Sequence, residues 1–119
     1  MTGIPRVATL VALVLGLTLW PVVALAHVTV TPDVFGPNQF GTFTFTVPNE
    51  SDTEDTIGVD VRLPDGFVLE DAQQVPGWTT VIDKGATGVP TAVHWKGGSL
   101  APGNFATFSL RLDIQLLHP

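Results

Sequence analysis

The chain has 119 residues, of which 45% are apolar and only 13% charged, with a formal net charge of −6 and no cysteine. That length holds one ordinary domain, which excludes two-lobed enzymes and cofactor-binding half-domains. The acidic balance excludes nucleic acid as a natural partner, and no disulfide can brace the fold.

The apolar excess sits at the front. Residues 7–19 read VATLVALVLGLTL without one ionisable side chain, preceded by Arg6 and followed by Pro21 and Ala24-Leu25-Ala26. A cationic start, an apolar middle and a small-residue motif are the order of a secretory signal, so residues 1–26 are read as a signal peptide cut between Ala26 and His27. The alternative is an uncleaved N-terminal anchor, because residues 7–26 could just span a bilayer. The missing cysteine excludes a lipoprotein, and Arg6 has no basic neighbour to make a twin-arginine signal. Residues 27–119 form the expected exported domain, secreted or in the cell envelope. They carry Arg62, Lys84, Lys96 and Arg111 against eleven acidic residues, a side-chain charge of −7.

Strands and turns follow. Residues 40–47, FGTFTFTV, put Phe43, Phe45 and Val47 on one face and Thr42, Thr44 and Thr46 on the other, the period of a strand. Residues 57–63 repeat the pattern, with Ile57, Val59, Val61 and Leu63 expected inward, before Pro64-Asp65-Gly66 turns the chain. Near the end Phe108, Leu110, Leu112 and Ile114 alternate with polar residues after the turn Ala101-Pro102-Gly103-Asn104. Shorter candidate strands are 27–31, 78–82 and 91–96, and no segment after residue 26 has a helical period. Six or seven short strands predict an all-β, antiparallel immunoglobulin-like sandwich. Such a fold hosts many activities, so function has to come from a site.

Cleavage after Ala26 would expose His27 as the first residue, placing a free α-amine beside its imidazole. Both nitrogens can hold one metal ion, and both titrate near neutrality in model peptides, so a metal displaces their protons readily. Nitrogen ligands in a tetragonal arrangement favour Cu(II), which heads the affinity order. The alternative is a histidine that merely follows a cleavage site. If strands 27–31 and 40–47 pair antiparallel, the start of the first lies beside the end of the second, at Val47-Pro48-Asn49-Glu50. Glu50 could then add an oxygen ligand, or be one more solvated acid in the run Glu50, Asp52, Glu54, Asp55.

Five segments carry a family resemblance: His27-Val28-Thr29-Val30-Thr31-Pro32, Phe43-Thr44-Phe45 leading into Val47-Pro48-Asn49-Glu50-Ser51, Val59-Asp60-Val61-Arg62-Leu63-Pro64, Val75-Pro76-Gly77-Trp78 and Val93-His94-Trp95. In this order, after a signal ending in alanine, residues 27 to about 112 resemble the YcnI-like copper-binding domain of bacterial exported proteins. The resemblance implies an immunoglobulin-like or cupredoxin-like sandwich that binds Cu(II) through a mono-histidine brace: the amine and imidazole of the first histidine, a glutamate and a tryptophan. It implies a copper chaperone or buffer, not an enzyme, working beside a copper-transport membrane protein. Position by position, the histidine is His27 and the glutamate is Glu50.

The family's tryptophan lies beyond the strand matching 105–112, in a segment that the tail Gln115-Leu116-Leu117-His118-Pro119 does not resemble, so the C-terminal part is expected to be incomplete. Trp78, Trp95 and His94 remain as weaker candidate ligands. Trp95 is expected in the core with Val93, Trp78 on a turn packed against it, and His94 exposed on the opposite face. A sandwich lacking a strand would leave Leu112, Ile114, Leu116 and Leu117 uncovered and open to self-association through that edge. Two other functions stay open at this stage. An oxidative copper enzyme would need a second histidine, for which His94 is the candidate, and a metal-free binding or adhesion module would need no metal at all. Motifs for serine, cysteine and phosphate chemistry are absent.

Overall fold

A computed structural model describes residues 8–13, 27–33 and 36–115. The expected cleavage point after Ala26, and Leu116, Leu117 and His118 in the tail, lie outside them. The described strands are β1 (Ala8–Leu13), β2 (Thr29–Thr31), β3 (Gln39–Pro48), β4 (Thr56–Arg62), β5 (Phe67–Ala72), β6 (Thr79–Lys84), β7 (Pro90–Leu100) and β8 (Phe105–Ile114). They form two four-stranded sheets, β1-β4-β7-β6 and β2-β3-β8-β5, the all-β sandwich that the alternation predicts. Among these strands every pairing is antiparallel except β1 with β4, which is parallel.

The inward faces meet as one apolar layer. Phe43, Phe45 and Val47 from β3 and Phe108, Leu110, Leu112 and Ile114 from β8 oppose Val59, Val61, Val93 and Trp95 from the other sheet, all buried. Phe108 is the centre, with Trp95 tilted against it at 5.1 Å and Trp78 edge-on at 5.2 Å between ring centroids. The indole N–H of Trp95 donates to the Gln73 carbonyl at 3.0 Å, so the one polar atom of that buried ring is satisfied.

Three expectations are corrected. Ile57 is 40% exposed while Thr56 is buried, because the β4–β7 ladder shifts register between Thr56 and Gly58 and turns the two side chains over. Strand β5 was not expected: its acidic residues, Glu70 and Asp71, break the alternation, and a register shift between Leu69 and Asp71 interrupts its pairing with β8. Leu112 and Ile114 are buried rather than uncovered, because β8 lies between β3 and β5 and is not an edge.

The edge that could be uncovered is the outer side of β4. There β1, from the apolar run at the front of the chain, pairs from Ala8 opposite Thr56 to Leu13 opposite Arg62. An unpaired strand edge is a template for further pairing. In hydrogen–deuterium exchange, amides of β4 bonded to β1 are expected to exchange faster in protein lacking residues 1–26 than in the full chain, with those bonded to β7 unchanged. Phe108→Ala removes the ring on which both tryptophans pack and is expected to cost about 3–5 kcal/mol in urea unfolding.

Candidate metal centre

Antiparallel pairing of β2 with β3 sets Thr29 opposite Thr46, Val30 opposite Phe45 and Thr31 opposite Thr44. Val28 and Val30 pack against the core, which leaves His27, Thr29 and Thr31 on the outer face. Continued two residues back from Thr29, this register carries His27 to the end of β3, where the chain leaves the sheet at Pro48. Glu50 follows at once, and His27 Nδ1 lies 3.1 Å from Glu50 Oε2. The two candidate ligands, 23 positions apart in sequence, are therefore brought together by the sheet pairing.

The side chains of His27 and Glu50 are 86% and 52% exposed. An ion pair so open to water is worth about 0–1 kcal/mol, so the contact itself adds little to stability. The separation suits metal ligation: bonds of roughly 2.0–2.2 Å at right angles put neighbouring nitrogen and oxygen donors about 3 Å apart. Among the described residues no three His, Cys, Asp or Glu side chains cluster as a metal site. A metal here thus needs donors beyond these two side chains.

The two candidate tryptophans pack on the core beside Phe108. Trp95 is fully buried with its N–H committed to Gln73. Trp78 ends the Val75-Pro76-Gly77-Trp78 turn, where Gly77 takes φ 88° and Trp78 N–H donates to the Val75 carbonyl at 2.9 Å. From there its indole lies over β8 against Phe108 and so close to Gly98 that a Cβ at that position would overlap the ring.

His94 lies on the outer face of the other sheet, between Asp60 of β4 and Asp83 of β6. Its Nδ1 is 2.6 Å from Asp60 Oδ1 and its Nε2 is 2.7 Å from Asp83 Oδ2. The expected exposure is therefore corrected: the side chain is only 27% exposed because a carboxylate covers each ring nitrogen. Ionised carboxylates only accept, so this geometry calls for a proton on both nitrogens. Alternation with Val59 and Val61 puts Asp60 outward as it does His94, but only the strand order β4-β7-β6 makes Asp60 and Asp83 its neighbours.

Residues 27–116 match the family described as "Domain of unknown function (DUF1775)", and the chain belongs to that family. No curated protein matches the chain. Of solved structures, it is similar to an uncharacterized protein from Nocardia farcinica whose crystal structure reveals an immunoglobulin-like fold, with 27% identity and a TM-score of 0.64. The match covers 74% of this chain and 66% of that protein, just under two thirds of its length.

The Asp60–His94–Asp83 chain of contacts has a pH signature. The hydrogen bond to Asp60 foremost raises the His94 pKa above its ordinary 6.5; burial opposes it, and the hydrogen bond to Asp83 with the charges of both aspartates leaves the net shift upward. A histidine whose folded value is raised stabilises the fold fully below its unfolded value, and that contribution is lost as pH climbs through the folded one. Wild-type stability in urea, less that of His94→Gln, is therefore expected to be largest near pH 6 and to decline as pH rises above about 6.5. A flat difference across that range would contradict the doubly bonded imidazolium.

Proposed function

We propose that this chain is an exported copper-binding protein that holds Cu(II) at His27 and Glu50 and passes it on, as a chaperone or buffer and without catalysing a reaction. The observation that carries this reading is the 3.1 Å approach of His27 Nδ1 to Glu50 Oε2 at an open corner of the sandwich. One further fact supports it. The family match begins at His27, the residue that signal cleavage after Ala26 would place first. A freed α-amine would stand beside the His27 imidazole as a third donor.

In the processed protein the amine and Nδ1 of His27 would chelate the ion and the Glu50 carboxylate would add a charged oxygen. The bound metal would supply no chemistry of its own here; the site's task is capture and release. High exposure of both side chains leaves the ion within reach of a second protein, and a copper-transport membrane protein fits as the recipient. An oxidative centre with two histidines gains no support, since His94 sits on the other sheet with both nitrogens occupied by aspartates.

The discriminating experiment compares protein beginning at His27 with the same protein carrying one methionine before it. The extra residue keeps the imidazole and removes only the primary amine. Cu(II) at one hundred times its dissociation constant is expected to stabilise the first by roughly 2.7 kcal/mol in thermal unfolding. The extended form should show little of that gain, and Glu50→Gln an intermediate one. Equal binding by the extended form would overturn the brace.

A further inference from the structure

Glu50 sits between two residues whose hydrogen bonds leave it little freedom. Asn49 is buried, at 5% exposure, one of two buried polar residues among those described. A carboxamide withdrawn from water is costly unless its donors and acceptor are met. Those of Asn49 are met by three separate backbone groups. Its Nδ2 donates to the Leu100 carbonyl at the end of β7 and to the Glu54 carbonyl, each at 2.8 Å, and its Oδ1 accepts the Ser51 N–H at 2.8 Å.

The backbone of Asn49 is held as well. Its N–H donates to the Asn104 carbonyl and its carbonyl accepts the Gly103 N–H, both at 2.9 Å. Gly103 and Asn104 belong to the Ala101–Asn104 turn, in which Pro102 and Gly103, at φ 84°, occupy the centre and Asn104 N–H closes back to Ala101 at 3.2 Å. The bond from Ser51 N–H to Asn49 Oδ1 closes an Asx turn, and Glu50 is its central residue. Beyond it, Ser51 Oγ accepts the N–H groups of Thr53 and Glu54 at 3.1 and 2.9 Å, and Ser99 Oγ donates to Asp55 at 2.6 Å. The segment that carries Glu50 is thus bolted to β7 and to the β7–β8 turn, while the Glu50 side chain itself points out to His27.

We propose that Asn49 is the positioning residue of the metal site: its buried carboxamide, anchored on Leu100, fixes the Asx turn that holds the Glu50 carboxylate at His27. This rests on the reading of His27 and Glu50 as a metal-binding pair. Asparagine is the residue the task requires. Aspartate lacks the two donors, glutamine is one methylene too long, and alanine strands two inward-facing carbonyls. A rigid carboxylate also suits an exposed site, because a metal that must order a loose loop on binding loses affinity to that ordering.

The test uses protein beginning at His27 and measures Cu(II) affinity and the electron paramagnetic resonance spectrum of wild type, Asn49→Ala, Asn49→Ser and Val93→Ala. Val93 lies in the core on β7, so its truncation matches a loss of stability without touching the loop. Asn49→Ala is expected to bind roughly 10–100-fold more weakly, with a changed spectrum, as substitutions behind a metal ligand do. Val93→Ala should keep wild-type affinity. Asn49→Ser, whose hydroxyl can still accept the Ser51 N–H, should recover part of the loss, and it carries the comparison if the alanine variant does not fold. Affinity within about twofold of wild type in the Asn49 variant, or an equal loss in Val93→Ala, overturns the proposal. If wild type binds no copper, the copper reading fails, and positioning is then read by NMR in metal-free protein from the contact between the His27 ring and the Glu50 side chain. Its loss in Asn49→Ala upholds the role and its persistence overturns it.

Discussion

The short ladder between β2 and β3 decides where His27 lies. Three residue pairs would hold a strand weakly, yet their register is enforced by burial, because Val28 and Val30 pack on the core while Thr29 and Thr31 stay outside. A slip of one residue would turn both valines to water and His27 toward the phenyl layer. The hydrophobic effect acting on two valines therefore sets the position of a histidine that itself buries almost nothing, and with it the distance to Glu50.

Two polar constellations, one on each sheet, contrast in chemistry. Around His94 the donors and acceptors are matched to each other: two carboxylates close on one imidazole and tie β4, β7 and β6 across their outer face. That arrangement is self-sufficient and answers to pH. At His27 a single nitrogen meets a single carboxylate in open water, and the pair leaves valence unused. Order is spent one layer behind it instead, in the buried hydrogen bonds of Asn49. The proposed uptake and release of an ion would use this division, with exposed donors mounted on a rigid base.

The β1 segment gives the apolar front of the chain a place on the outer edge of β4. Processing before His27, as proposed, would remove that strand and open a sheet edge while freeing the amine that the metal needs. Self-association, expected from the sequence at β8, is thus better sought at β4. Likeness to the Nocardia farcinica protein agrees with the sandwich architecture, while the copper proposal rests on the residues at the corner.

Much of the fold was legible because burial writes a period into the chain. Phe43, Phe45, Val47, Phe108, Leu110, Leu112 and Ile114 were placed inward from alternation alone, and the Pro-Gly turns before Trp78 and Phe105 from the backbone demands of glycine. The approach of His27 to Glu50 was legible too, since antiparallel pairing of two neighbouring strands leaves one geometry for their ends. Ile57 went wrong because a register shift leaves no mark in a pattern of apolar residues, and β5 was hidden by its own acids. Only the tertiary structure could decide what depends on strands distant in sequence becoming neighbours. Those decisions are the two aspartates around His94, the central place of β8 that covers Leu112 and Ile114, and the anchoring of Asn49 on Leu100. Local periodicity reports which side of a strand faces the core; it carries no information about which strand lies alongside.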